Sequence, residues 1–278
     1  MLDRSKLGLN RIIHPALDLE GFFKLTADLG LGKVELRNDL PGGGIVDGQT
    51  PGKVKELARK YSLQIITINA LQKFNLGAVL AEVSEELKEL AELARAIGCA
   101  AIVLCPNNDL QDKRDEQQKY RETVAALKAF HPIFEQNGIT GLVEPLGFAE
   151  CSLRSVVTAM KAIQETGSGA YKIVHDTFHH ALGPDSITTL ENAYNVSYTG
   201  LIHVSGVESP IPTAQYRDAQ RILLSPADRL KSREQIRLLQ KLGYRGDISF
   251  EPFAKEIQDL KLEELKETIH RSIAYLSS

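Results

Sequence analysis

Only three cysteines occur in 278 residues, Cys99, Cys105 and Cys151, and they form no Cys-x-x-Cys pair. An odd, scattered set excludes a disulfide scaffold and a thiolate zinc site, and it fits a reducing compartment. Excess positive charge is also missing. Lys and Arg total 33 against 36 Asp and Glu, a net charge of −3, which leaves no electrostatic footprint for nucleic acid. No apolar run approaches the ~18 residues of a membrane span, and the opening MLDRSKLGLN lacks the apolar core of a signal peptide. A cytoplasmic chain with neither nucleic-acid nor membrane partner is therefore expected. No Gly-x-Gly-x-x-Gly follows an early strand, which disfavours a doubly wound open sheet. The one glycine cluster, Pro41-Gly42-Gly43-Gly44, opens no clear helix. It is expected to form a flexible loop over a mouth, not a phosphate cradle.

What is present is a regular alternation. Short β-branched runs (KLGLNRI, KVELRN, QIITINA, AAIVLCP, TGLVEPL, YKIVHDTFHH, YTGLIHVSG, DISFEPF) are each followed by a stretch with apolar residues at i, i+3, i+4 and i+7. Gly30, Gly98, Gly138 and Gly243 end helical patterns, as left-handed caps do. Eight strand-then-helix units of about 35 residues, with no shift in composition between them, predict a single-domain (β/α)₈ TIM barrel over residues 1–278.

Chemistry on such a barrel gathers where the strands end. The fifth to eighth strands end in Glu144, Asp176, His203 and Glu251. A period of two puts these on one strand face with Leu142, Val174, Leu201 and Ser249, so all four converge if that face points to the axis. Three converging carboxylates repel unless a cation intervenes. One divalent ion answers that need, with Lys or Arg pairing at the mouth as the alternative. Oxygen ligands plus one imidazole suit Mn²⁺, Mg²⁺ or Co²⁺ as well as Zn²⁺. Asn10, Arg37, Asn69 and Asn107 near the ends of the first four strands are candidate readers of substrate hydroxyls. Glu35 and Arg37 share a face and are expected to pair inside the barrel. In VHDTFHH, His175 should point outward into the helix layer as a structural histidine. Strict alternation would put His180, not His179, on the face of Asp176.

The Glu, Asp, His, Glu series, the D-x-x-H after strand six, and the phrases VELRND, ITINA, LVEPLGF, HDTFHH, HVSGVE and GYRGDISFEPF resemble the xylose isomerase-like TIM-barrel superfamily, most of all its inosose isomerase branch. The resemblance runs along nearly the whole chain. It implies a metal held by Glu144, Asp176, His203 and Glu251, and it implies His179 as a substrate contact, the chain leaving strand geometry near Thr177. Many members carry a Gly-rich segment after strand seven that supplies an arginine to substrate. Here that place reads YRDAQRILLSPADRL, so Arg221 or Arg217 replaces it.

The expected reaction is isomerisation of a polyol ketone such as 2-keto-myo-inositol through a metal-stabilised enediolate, with Glu144 and Glu251 as the acid/base pair. Ketose 3-epimerisation, hydroxypyruvate-type isomerisation and inosose dehydration are alternatives on the same site. A non-catalytic sugar-binding barrel would not need three convergent carboxylates. The expected partner is a small polyol or sugar, and a homo-oligomer is compatible with this reading.

Overall fold

The computed structural model describes residues 3–42 and 44–278. Eight parallel strands close into one barrel in sequence order: β1 (Leu7–Asn10), β2 (Lys33–Arg37), β3 (Gln64–Leu71), β4 (Ala101–Leu104), β5 (Thr140–Val143), β6 (Tyr171–Asp176), β7 (Thr199–Val204) and β8 (Asp247–Phe250). The outer layer holds α1 (Leu19–Asp28), α2 (Pro51–Lys60), α3 (Leu80–Ile97), α4 (Glu116–Asn137), α5 (Val156–Thr166), α6 (Thr177–Leu182), α7 (Ile187–Ala193), α8 (Ser232–Lys241), α9 (Lys255–Gln258) and α10 (Leu262–Ser277). The expected TIM barrel is the fold observed. The loop expected at Pro41–Gly44 includes Gly43, which lies outside the described residues.

The helices form where local chemistry allows. Asp18, Asp115 and Ser155 accept backbone N–H bonds at the starts of α1, α4 and α5, and Gly98 and Gly138 take left-handed conformations at the ends of α3 and α4. Along α3 the buried positions are Val83, Leu87, Leu90, Ala91, Ala94 and Ile97, an apolar stripe at helical spacing that faces the strands. Between the layers Phe22, Phe23, Phe130 and Phe134 are fully buried, each ring stabilising the fold by about 1.5–3 kcal/mol. Inside the barrel, Ile66, Ala101, Val103, Leu142, Val174 and Leu201 pack together as an apolar floor. Above that floor the interior turns polar.

The loop after β4 is braced by a charged network. Asp112 accepts bonds from Arg114 (Nη2, 2.6 Å) and Asn107 (Nδ2, 2.9 Å), while Arg114 also pairs with Glu122 at 2.6 Å. The Arg114 bonds hold the Asp112 carboxyl well below the usual carboxylate range against the opposing effect of burial. A depressed folded-state pKa gives stability that is present above the unfolded value and lost as pH falls below it. Asp112→Asn is therefore expected to lower stability by about 1–3 kcal/mol at neutral pH. The gap to wild type should narrow as pH drops below about 3.9. Denaturant midpoints measured from pH 7 to pH 3 check this, and a gap independent of pH would contradict it.

Candidate functional site

Asp176 explains how the polar mouth is built. It ends β6, and its Oδ1 accepts from the backbone N–H groups of Phe178 (2.7 Å) and His179 (3.1 Å), capping α6. The chain therefore turns helical at Thr177, and strand alternation no longer decides where the histidines point. His179 lines the mouth pocket, and its Nδ1 accepts from Gly147 N at 3.2 Å. His180 instead packs against His175, ring centroids 4.8 Å apart and planes tilted by 40°. His175 bonds Gln235 of α8 at 3.0 Å, in the helix layer as expected. Burial, with His180 adding to it, pushes His175 down to about 3, and burial takes His180 down to about 4, so both rings are neutral at neutral pH. Gly147 is required here, because a Cβ would stand 2.2 Å from the His179 carbonyl oxygen.

Glu144 and Glu251 continue their strands' ladders, donating N–H to Leu104 and Val204 carbonyls, both at 3.0 Å. His203 sits opposite Asp176 in the β6–β7 register and opposite Ser249 in the β7–β8 register. Glu144, Asp176, His203 and Glu251 are all buried, and one donor atom from each lies within 4.8 Å of the others. Ligands about 2.0–2.2 Å from a shared ion stand at most about 4.4 Å apart, so small side-chain adjustments would close the set on one cation.

The charge balance fits the same conclusion. His203 Nδ1 is 2.8 Å from Glu144 Oε1 and 3.2 Å from Glu251 Oε2. Its Nε2 is 3.0 Å from Glu35 Oε2. Arg221 Nη2 bridges Asp176 Oδ2 (2.6 Å) and Glu251 Oε2 (2.7 Å), and Arg37 Nη1 meets Glu251 Oε1 at 3.0 Å. Four buried carboxylates, those of Glu35, Glu144, Asp176 and Glu251, thus face two buried guanidiniums and the His203 ring, so acidic groups outnumber cationic ones in a way that suits a divalent ion. Burial opposes a charged imidazole, but Glu251, Glu35 and Glu144 outweigh it and hold His203 well above its ordinary pKa. Burial would likewise raise the Glu251 carboxyl, and His203 and Arg221 instead hold it well below its ordinary range. The pairing with arginine weighed against a metal is thus present, but it neutralises only part of the cluster.

The two glutamates differ in surroundings. Both oxygens of Glu251 are occupied, by Arg37 and Asn10 on one side and by Arg221 and His203 on the other. Glu144 is touched by the His203 ring and, at 3.6 Å, by the thiol of Cys105. The pocket above them is lined by Arg37, Asn69, His179 and Arg221, with Phe148 and Phe253 as walls and Asp39 and Asp218 at the rim. A wider cleft opens at the opposite end of the barrel beside Lys6 and Tyr244, away from this cluster.

Several expectations need correction. Glu35 and Arg37 do not pair: Glu35 turns to His203 across the barrel, and Arg37 reaches up to Glu251 and Asp39. Asn107 is off the pocket, tied to Asp112 and Asn75 in the loop brace. The amide nitrogen of Asn69 is committed to Glu35 and Thr67, although the residue lines the pocket. Of the two arginine candidates, Arg221 is buried at the cluster, whereas Arg217 is exposed and lies over the Phe148 ring. Sequence reasoning missed Cys105, Phe148, Phe253 and the Glu35 contact. Cys105, Phe148 and Phe253 lie past strand ends and Glu35 in the middle of β2, but nothing in a one-dimensional pattern says which strand faces which across the axis.

Comparison with known proteins agrees with the geometry. The model of the xylose isomerase-like TIM barrel family matches residues 23–277. An inosose isomerase of Halalkalibacterium halodurans is 25% identical over 222 residues, covering 79% of this chain and 77% of that protein. The crystal structure of a xylose isomerase domain containing protein from Salmonella typhimurium LT2 has a TM-score of 0.93 and 39% identity, over 100% of this chain and 99% of that one. The crystal structure of the IolI protein with a bound zinc atom shares the fold at a TM-score of 0.87 and 21% identity, over 98% of this chain and 97% of that one. With the family model spanning all but the first strand, and the Salmonella barrel superposing over the full length, this chain belongs to the xylose isomerase-like TIM barrel family.

Proposed function

We propose that this chain is a divalent-metal-dependent isomerase of an uncharged polyol ketone, with an inosose as substrate. The observation that carries the reading is the convergence of Glu144, Asp176, His203 and Glu251 at the floor of the mouth pocket. The inosose isomerase relative and the zinc bound by IolI support it. A metal ion held by these four residues would supply Lewis acidity, drawing charge from a ketone and making the neighbouring C–H more acidic. The chain supplies the rest. Glu144 is the carboxylate with fewer cationic contacts, so it is the better base for the proton on the hydroxyl-bearing carbon. Glu251, held between two guanidiniums, positions the substrate oxygens and relays to the former ketone carbon a proton in exchange for the one that Glu144 took, so that both carboxylates end the turnover as they began. The hydroxyl proton passes to the other oxygen, so atoms balance and the ketone has moved one carbon along the ring. His179, fixed through its Nδ1 by Gly147, turns its remaining ring nitrogen to a substrate hydroxyl.

An uncharged substrate follows from the pocket's cations. Among the described lining residues there is no lysine, and both arginines are already paired with carboxylates, Asp39 and Asp218 included. A substrate carboxylate would find no unpaired cationic side chain, which favours inososes over hydroxypyruvate.

Chelation of the purified protein is expected to abolish turnover of an inosose, and Mn²⁺ or Co²⁺ to restore it. Asp176→Asn and His203→Ala should each lower bound metal, read by elemental analysis. Full turnover by demonstrably metal-free protein would sink the reading. His179→Ala should reduce kcat/KM about tenfold, the value of one hydrogen bond near 1.4 kcal/mol, with metal content unchanged. His180→Ala should leave kcat/KM near wild type, since its ring packs behind the barrel wall.

Glu144→Gln and Glu251→Gln separate proton transfer from positioning. Each is expected to lose roughly 10²–10⁴-fold in turnover. Metal-loaded Glu251→Gln should still wash solvent deuterium into the substrate without forming product, and Glu144→Gln should do neither. Near-normal turnover in both metal-loaded variants would remove the glutamates as proton carriers.

A further inference from the structure

We propose that Glu35 is a positioning residue: it accepts a hydrogen bond from the Nε2–H of His203 and so fixes Nδ1 as the nitrogen presented to the metal. The inference rests on reading the four-residue cluster as a metal site, and it concerns a fifth residue outside that set. Glu35 lies on β2, across the barrel from β7, and its side chain and that of His203 are both 0% exposed. The imidazole spans the barrel interior between them. Nε2 stands 3.0 Å from Glu35 Oε2, and Nδ1 stands 2.8 Å from Glu144 Oε1.

A histidine binds a metal as the neutral imidazole, which carries one N–H and one lone pair. If the proton sat on Nδ1, it would block the nitrogen among the ligand groups and turn the Nε2 lone pair against a buried carboxylate. With the proton on Nε2, a charge-assisted bond forms to Glu35, and the Nδ1 lone pair is free and more basic. Glu35 is itself held in place. Its Oε2 accepts from Thr67 Oγ1 at 2.6 Å and from Asn69 Nδ2 at 3.0 Å, and Asn69 also donates to Thr67 Oγ1 at 2.8 Å. A chain of contacts thus runs from β3 through β2 to the ring on β7. It gives the inward-facing polar residues of the second and third strands a part in metal binding although none of them is a ligand.

The test uses full-length wild type, Glu35→Gln and Glu35→Ala, stripped with chelator and titrated with Zn²⁺ by calorimetry. Thermal unfolding of each metal-free protein checks that it folds. Glu35→Ala is expected to weaken Zn²⁺ binding about 10–100-fold. Glu35→Gln should weaken it less, because an amide oxygen still accepts the Nε2 proton but brings no charge. If Glu35→Ala does not fold, the near-isosteric Glu35→Gln carries the comparison. The signature that a merely structural role would not move is the tautomer. Nitrogen-15 histidine spectra of Zn²⁺-loaded wild type should show His203 protonated at Nε2, with that proton lost or exchanging in Glu35→Ala. Wild type that binds one Zn²⁺ while both variants bind it equally tightly, with the same tautomer, overturns the role of Glu35 alone. Wild type that takes up no Zn²⁺ overturns the metal reading and this inference with it.

Discussion

Four carboxylates are buried within reach of one imidazole at the mouth of this barrel, and the surrounding structure answers the repulsion among them. Burial alone would force protons onto some of these groups. Arg37, Arg221 and the His203 ring supply positive charge from three separate strands and loops instead. Taking away any one of those cations would leave a buried charge unpaired, a loss of several kcal/mol by the usual cost of broken buried pairs, about 3–5. The site is therefore a single electrostatic unit, not a set of ligands added to a neutral scaffold. Its remaining negative excess suits a divalent ion.

The backbone serves this unit at few positions. Asp176 and His203 face each other in the β6–β7 register, while Glu144 and Glu251 stand one residue past β5 and β8, and the loops beyond carry the parts that touch the pocket. Asp176 links scaffold and site: one of its oxygens starts α6, which aims His179 at the pocket, and the other meets Arg221. Gly147 lets the loop after β5 approach α6 closely enough to hold the His179 ring. Below, the apolar floor of Leu142, Val174 and Leu201 closes the barrel beneath the charged cluster, which strengthens each ion pair and raises the penalty for leaving one unmade.

The eight-fold alternation of strand and helix was legible in the sequence, because each run shows a period of 2 or 3.6 set by local geometry. So was the candidate donor set, since Glu144, Asp176, His203 and Glu251 recur at equivalent places in four successive units. The direction of His175 was legible too, from alternation within a strand. Alternation misled at His180, where a side-chain cap on Asp176 replaces the strand period with a helical one.

What the sequence by itself determined is what depends on neighbours along the chain: the order of elements, their faces, and which residue types stand at strand ends. What only the tertiary structure decided is contact across the barrel. Glu35 meets His203 from a residue 168 positions away, and Arg37 meets Glu251 from 214. Glu35 and Arg37 lie on the same strand face, where proximity in sequence favours a pair, yet Glu35 reaches His203 across the barrel and Arg37 reaches past β1 to Glu251 after β8. Closing eight strands into a ring brings residues of non-adjacent strands within side-chain reach, and the charges there, being buried, outweigh the nearer neighbour.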